Sequence, residues 1–129
     1  MDKVKETAID YCKRSYSPYS QFRVGAAILC RDGSIFGGTN IENSSYSLTM
    51  CAERCAMFAA AADGHHDLCE LVIYTPTDEL TYPCGACLQV ASELLEPDAK
   101  IRLVNDHSEK VCSLADLLPA AFKLASGQC

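Results

Sequence analysis

Three cysteines and a glutamate stand where chemistry is most legible: Cys51-Ala52-Glu53, and further along Pro83-Cys84-Gly85-Ala86-Cys87. Both clusters fall where helices are predicted to begin. Unpaired amides and a partial positive charge of roughly half an elementary unit at a helix N-terminus favour thiolate over thiol and offset the negative charge gathered around a metal. Thiolates from Cys51, Cys84 and Cys87 would leave a tetrahedral zinc with its fourth position free for water, as a catalytic site requires. Glu53 is then the candidate proton shuttle. Cys51 and Glu53 do not share a helix face, so they converge only if the ion sits beyond the helix end. A closed site competes with this open one: Cys55, one turn after Cys51, would complete a structural four-cysteine set with Cys84 and Cys87. Glu53 would then be no more than a first-turn acid complementing the helix dipole.

The surrounding pattern supplies the elements that must position these residues. An amphipathic helix is predicted over Val4 to Arg14, turning Val4, Ala8, Ile9 and Tyr11 towards a core and ending at Ser17-Pro18-Tyr19-Ser20. Phe22 to Cys30 reads as an apolar strand, Asp32-Gly33 as a hairpin turn and Ser34 to Thr39 as the returning strand. A polar loop from Asn40 to Leu48 feeds a helix over Met50 to Ala62, which stops before Asp63-Gly64. Leu71 to Tyr74 is a short strand, followed by a loop with Pro76 and Pro83, a helix over Gly85 to Leu95 and a strand over Ile101 to Val104. Strand, helix, strand implies a parallel pair. A hairpin beside a parallel crossover makes a mixed sheet flanked by helices, a layered α/β domain. Leu114 to Phe122 closes the chain with a short helix broken at Pro119.

A chain of 129 residues is expected to fold as one domain, and its 49% hydrophobic and 22% charged residues are ordinary for a globular protein. A net charge of -6 with 11 scattered Lys and Arg argues against nucleic acid as a partner. No apolar stretch reaches the length that crosses a bilayer, and Met1 to Tyr16 lacks the apolar core of a secretory signal, so a cytoplasmic location is expected. Nine cysteines, an odd number without such a signal, read as reduced thiols, some of them on a metal. Cys12, Cys30, Cys69 and Cys112 are expected to behave as small buried hydrophobes, and His65 and His66 to be solvated. Cys129 has no residues beyond it to form a prenylation box, and the ending Ser126-Gly127-Gln128-Cys129 reads as a mobile tail.

The sequence resembles the small cytidine deaminases from Tyr16-Ser17-Pro18-Tyr19-Ser20, through Asn40-Ile41-Glu42-Asn43, Cys51-Ala52-Glu53-Arg54 and Pro83-Cys84-Gly85-Ala86-Cys87, to Leu117-Leu118-Pro119-Ala120-Ala121-Phe122. That resemblance implies a mixed five-stranded sheet flanked by helices, one zinc ion per subunit and hydrolysis of free cytidine and deoxycytidine to the uracil nucleosides and ammonia, in pyrimidine salvage. Water activated by zinc would attack C4 while Glu53 shuttles protons. It further implies that Phe22 packs on the pyrimidine ring, that the Ala52 amide meets the base carbonyl and that Asn40 and Glu42 hold the ribose hydroxyls. Glu42 would repel a phosphate, which favours a free nucleoside. Tyr46 and Phe122 would reach into a neighbouring subunit's site, making the functional unit a homotetramer. Three thiolates weaken zinc as a Lewis acid, and Arg54 is expected to compensate by donating hydrogen bonds to the sulfurs of Cys51 and Cys84. Two positions depart from the family pattern: Leu88 stands where an arginine is common, and Ala120 where glycine is usual. Without the family, Phe22, Tyr46 and Phe122 read as packing or interface residues, Asn40 and Glu42 as turn formers and Arg54 as a surface ion pair. The alternatives in view are a deaminase of a cytosine-bearing antibiotic, of the blasticidin S type, and a non-catalytic zinc-stabilised module.

Overall fold

A computed structural model describes residues 1–124 of the chain. The ending read as a mobile tail lies outside the described residues. Helix α1 (Lys3–Cys12) starts at Asp2, whose carboxylate accepts a hydrogen bond from the Lys5 amide at 3.1 Å. It ends two residues before the predicted boundary. Val4, Ala8 and Cys12 form its buried stripe, while Ile9 and Tyr11 are only half-buried. Tyr11 instead lies across the outer strand at Gly37, under the Arg14 guanidinium 4.1 Å from its ring centre.

Strands β1 (Gly25–Cys30) and β2 (Ile35–Thr39) form the expected antiparallel hairpin, with Gly33 in the turn at φ 94. The first strand begins later than predicted because Phe22 and Val24 are bonded by a side chain rather than by a neighbouring strand. Asn40 Oδ1 accepts from the Val24 amide at 3.1 Å and its Nδ2 donates to the Phe22 carbonyl at 2.6 Å. A short 3-10 turn at Tyr46–Leu48 leads to α2 (Ala52–Ala62), then come β3 (Leu68–Tyr74), α3 (Gly85–Leu94), β4 (Leu95–Val104), β5 (Glu109–Ser113) and α4 (Leu114–Leu117). The last helix stops before Leu118-Pro119, where the proline ring disfavours helical backbone in the preceding residue.

The sheet has five strands in the order β2-β1-β3-β4-β5, with β3 and β4 parallel and the other pairs antiparallel. Strand β5 escapes a reading by hydrophobic pattern because Glu109, Lys110, Val111 and Ser113 are exposed and only Cys112 is buried. Alternation divides the sheet between two apolar layers. Ala26, Ile28, Leu71, Ile73, Ile101 and Leu103 pack with α2 and α3, while Ala27, Val72, Tyr74 and Val104 pack with α1. Arg102 lies on the α1 side and pairs with Asp2, with Glu70 at 3.1 Å and with Glu109 at 3.7 Å, joining the start of α1 to three strands. Among the described residues no helix is long and apolar enough to cross a membrane.

Helix α2 approaches the sheet with almost no side chain between. A Cβ on Gly38 would meet the Ala56 amide nitrogen at 2.4 Å and the Ala52 carbonyl oxygen at 2.5 Å, both backbone atoms that cannot rotate away. Gly38→Ala must therefore push α2 off β2. Overpacking of this kind costs about 1–3 kcal/mol, and a rigid backbone obstacle places this variant at the upper end. Urea unfolding followed by circular dichroism is the check; an unchanged midpoint would mean that α2 yields at no cost.

Candidate active site and metal centre

Cys51 and Cys84 occupy the cap positions that precede α2 and α3, both with extended backbone, and neither sulfur caps the first-turn amides of its helix. A serine or aspartate in that position usually turns back onto the first-turn amides. These two side chains point at each other instead, with their Sγ atoms 3.9 Å apart. Cys87 lies in the first turn of α3, buried between the helices, and the three sulfurs fall within 4.8 Å of one another. Two sulfurs bound at ~2.3 Å to one tetrahedral zinc are about 3.8 Å apart, so the group has the dimensions to hold it. Cys55 is not part of the group. Of the two arrangements left open by spacing, the three-sulfur set is the one the fold brings together.

The same cluster is strongly polarised. The Cys51 thiol is pulled down to about 5, first by a hydrogen bond from Cys87 and further by Arg54 and Cys84, against the opposing effect of burial. Its partner Cys87 is pushed up by that shared hydrogen bond and by burial. Arg54 Nη2 donates to Cys51 Sγ at 3.3 Å, and its charge also acts on Cys87. Of the two sulfurs expected to receive its hydrogen bonds, Cys51 and Cys84, the bond reaches Cys51. Cys84 is exposed at the cap of α3, whereas Cys87 is buried in the first turn of that helix.

Glu53 follows one residue inside α2 and is 6% exposed. Burial pushes its carboxyl up to about 7, and the negative charge on Cys51 adds to the effect. A group near neutrality gives and accepts protons with similar ease. Glu53, Cys51 and Cys84 line one cavity of about 240 Å³ together with Phe22, Asn40, Glu42 and Ala52. The Ala52 amide opens α2 and so has no intrahelical acceptor.

Phe22 is 41% exposed and follows Gln21, the only non-glycine among the described residues with positive φ, at 59. Asn40 is buried, and its Oδ1 is occupied by Val24 and by Ser15 Oγ at 2.6 Å, which leaves one Nδ2 hydrogen for the cavity. Glu42 is gripped by Ser20 through its hydroxyl and amide, and by the Tyr19 amide at 3.0 Å. These bonds, the Ser20 hydroxyl foremost, hold its carboxyl below the ordinary range. Ser20, Thr49, Thr81 and Tyr82 also line the cavity and were not singled out by sequence. Their signal was position only: Ser20 ends the Tyr-Ser-Pro-Tyr-Ser stretch, and Thr81-Tyr82 precede Pro83-Cys84.

Tyr46 and Phe122 do not enter this cavity. They are 76% and 69% exposed, Tyr46 stacked edgewise on Tyr19 with ring centres 6.2 Å apart and Phe122 fixed through its carbonyl by Gln89 Nε2 at 3.0 Å. Leu88, standing where the family often has arginine, is buried in the core beside α2. Ala120 does not have positive φ, so no backbone conformation reserved for glycine is required of it.

The description "Cytidine and deoxycytidylate deaminase zinc-binding region" matches residues 1–101. The chain is 45% identical over 120 residues to a cytidine deaminase of Halalkalibacterium halodurans, spanning 92% of this chain and 90% of that one. It is 39% identical over 124 residues to a probable cytidine deaminase of Dictyostelium discoideum, spanning 95% and 83%. The crystal structure of cytidine deaminase from Burkholderia pseudomallei matches with a TM-score of 0.89 at 41% identity, covering 93% of this chain and 97% of that one. That from Mycobacterium tuberculosis matches with a TM-score of 0.81 at 36% identity, covering 95% and 97%. With these matches running through the sheet, both helix caps and all three sulfurs, the chain belongs to the cytidine and deoxycytidylate deaminase family of zinc-dependent hydrolases.

Proposed function

We propose that this chain, as a single domain, hydrolyses free cytidine and deoxycytidine to uridine and deoxyuridine with release of ammonia, serving pyrimidine salvage in the cytoplasm. The observation that carries this reading is a buried carboxylate, Glu53, in the wall of the same small cavity as two of three converging sulfurs. Cys51, Cys84 and Cys87 would hold the zinc, which supplies Lewis acidity and an open position at which water becomes nucleophilic near neutral pH. Glu53 accepts the proton of the attacking water, delivers it to N3 of the cytosine ring and passes a proton to the departing ammonia. The Ala52 amide donates to the base carbonyl, and Phe22 packs against the ring. Asn40 offers its remaining Nδ2 hydrogen and Glu42 its carboxylate to the sugar hydroxyls.

A nucleoside suits the cavity better than a nucleotide. Among the described residues its lining contains Glu42 and Glu53 but no lysine or arginine to meet a phosphate. Arg54 stands behind the sulfurs and withdraws charge from Cys51 and Cys87, which offsets the electron donation of three thiolates. The exposed rings of Tyr46 and Phe122 support a homotetramer in which each reaches a neighbouring subunit's cavity.

Mixing the zinc-loaded protein with cytidine should produce the ultraviolet change of uridine formation, abolished by a chelator and restored by zinc. Failure to convert cytidine with zinc bound would sink the activity. Glu53→Gln should keep its metal yet lose on the order of two to four decades in kcat; near-wild-type turnover removes Glu53 from the chemistry. Cys55→Ala should retain zinc at full stoichiometry, whereas metal loss would restore the closed four-cysteine site. Arg54→Gln should weaken zinc binding or turnover by about 10–100-fold, as loss of a partner to a metal ligand typically does. An unchanged metal affinity together with an unchanged rate would reduce Arg54 to packing.

A further inference from the structure

Away from the three sulfurs, a second group of ligating side chains gathers where the β1–β2 hairpin meets the end of α2. Cys30 ends β1 and is 1% exposed, Asp32 stands in the hairpin turn, and His65 follows Gly64 just beyond the helix. One ligand atom from each of Cys30, Asp32 and His65 lies within 4.8 Å of the others.

His65, expected in solvent, has a side chain only 16% exposed, and its position is set from several sides. Its ring packs edgewise on Phe36 with centres 5.0 Å apart, and its amide donates to the Ala60 carbonyl at 3.1 Å. The two ring nitrogens face different carboxylates. Nε2 is 3.3 Å from Asp32 Oδ2, and Nδ1 is 3.5 Å from Asp63 Oδ2. That second approach falls outside hydrogen-bond geometry, and Nδ1 is buried without a hydrogen-bond partner among the described residues. A metal-bound histidine commonly keeps one nitrogen on the ion and turns the other towards a carboxylate, and Asp63 stands 3.5 Å from Nδ1 on that side. The separation of Nε2 from Asp32 Oδ2 also matches two ligands at ~2.0–2.1 Å on one tetrahedral zinc, which are about 3.3 Å apart.

We propose that Cys30, Asp32 and His65 form a second metal site, distinct from the catalytic one, that takes a divalent cation of zinc type and clips the β1–β2 hairpin to the end of α2. Asp63 orients His65 from behind. Sulfur, imidazole and carboxylate together favour zinc over calcium or magnesium, which prefer oxygen throughout. Charge favours the same ion. The carboxylates of Asp67, Asp32 and Asp63 lie around the Cys30 thiol, and Arg31, next in the chain, turns away to Glu96. A divalent cation entering the group displaces the thiol proton to solvent. It then meets one thiolate, one carboxylate and a neutral imidazole, so the first shell carries no net charge.

The experiment uses the holoenzyme, its catalytic zinc already in place, titrated with cobalt(II) alone. The wild type should bind one further equivalent per chain, with the near-ultraviolet charge-transfer absorption of a single thiolate ligand. His65→Gln and Asp32→Asn should lose that equivalent and the absorption while converting cytidine at the wild-type rate. Asp63→Asn should bind it about 10–100-fold more weakly. Asp32 is exposed and His65 half-buried, so these variants test the site without removing the buried Cys30, and circular dichroism verifies their fold. A wild type that takes up no second equivalent overturns the proposal. So does a second equivalent held with equal affinity by His65→Gln and Asp32→Asn. Turnover is read separately, so failure of the cobalt titration leaves the deaminase assignment standing, and failure of turnover leaves the second site to its own test.

Discussion

Helices α2 and α3 begin so close together that Cys51 Sγ lies 3.9 Å from Cys84 Sγ, and each aims the positive end of its dipole at the same spot. Such a meeting is unfavourable unless negative charge stands between the helices, and the sulfurs provide it. Cys51 is drawn towards thiolate by Cys87 and Arg54, so the charge needed to reconcile two helix ends is also the charge that captures a cation. Positioning and metal chemistry thus rest on one electrostatic arrangement.

The fold leaves these helix ends little freedom. On one side, Gly38 lets the backbone of α2 touch that of β2, fixing where Cys51 emerges. On the other, the parallel crossover from β3 to β4 delivers α3 to the same edge of the sheet. The loop carrying Cys84 is tied down on the way. Thr75 Oγ1 shares hydrogen bonds with Thr77 at 2.7 Å and Thr81 at 3.2 Å, and Asn105 Nδ2 donates to the Asp78 carbonyl at 3.0 Å. Since a metal site tolerates errors of only a few tenths of an ångström, the supporting hydroxyls matter as much as the ligands.

Opposite the metal group, the cavity wall is built from the segments on either side of β1 and β2. Asn40 occupies the centre of that wall, bonding Ser15, Phe22 and Val24 at once. It therefore holds together the loop that presents Phe22 and the loop that presents Glu42. Ser20 continues the connection by bonding the Glu42 carboxylate and the Phe22 amide. The aromatic rings beyond this wall, Tyr46 and Phe122 among them, remain uncovered in the single chain.

The sequence by itself determined the mixed sheet, the hairpin and the crossover, because alternating and helical hydrophobic patterns are local properties that the chain carries wherever it goes. It also marked Cys51, Glu53, Cys84 and Cys87, whose spacing and helix-start position are local too. It did not decide whether Cys55, one turn after Cys51, joins Cys51, Cys84 and Cys87 as a fourth sulfur. Only packing of α2 against α3 settled which sulfurs meet. Strand β5 was lost to the pattern because an edge strand with four exposed side chains has no apolar alternation to detect. Arg54 was expected to bond Cys51 and Cys84 and its hydrogen bond reaches Cys51, and His65 was expected in water but is wedged between Phe36 and two carboxylates. Each of these outcomes depends on where a distant segment comes to rest. Periodicity specifies which face of an element is buried, whereas the partner across that face is chosen by the tertiary fold.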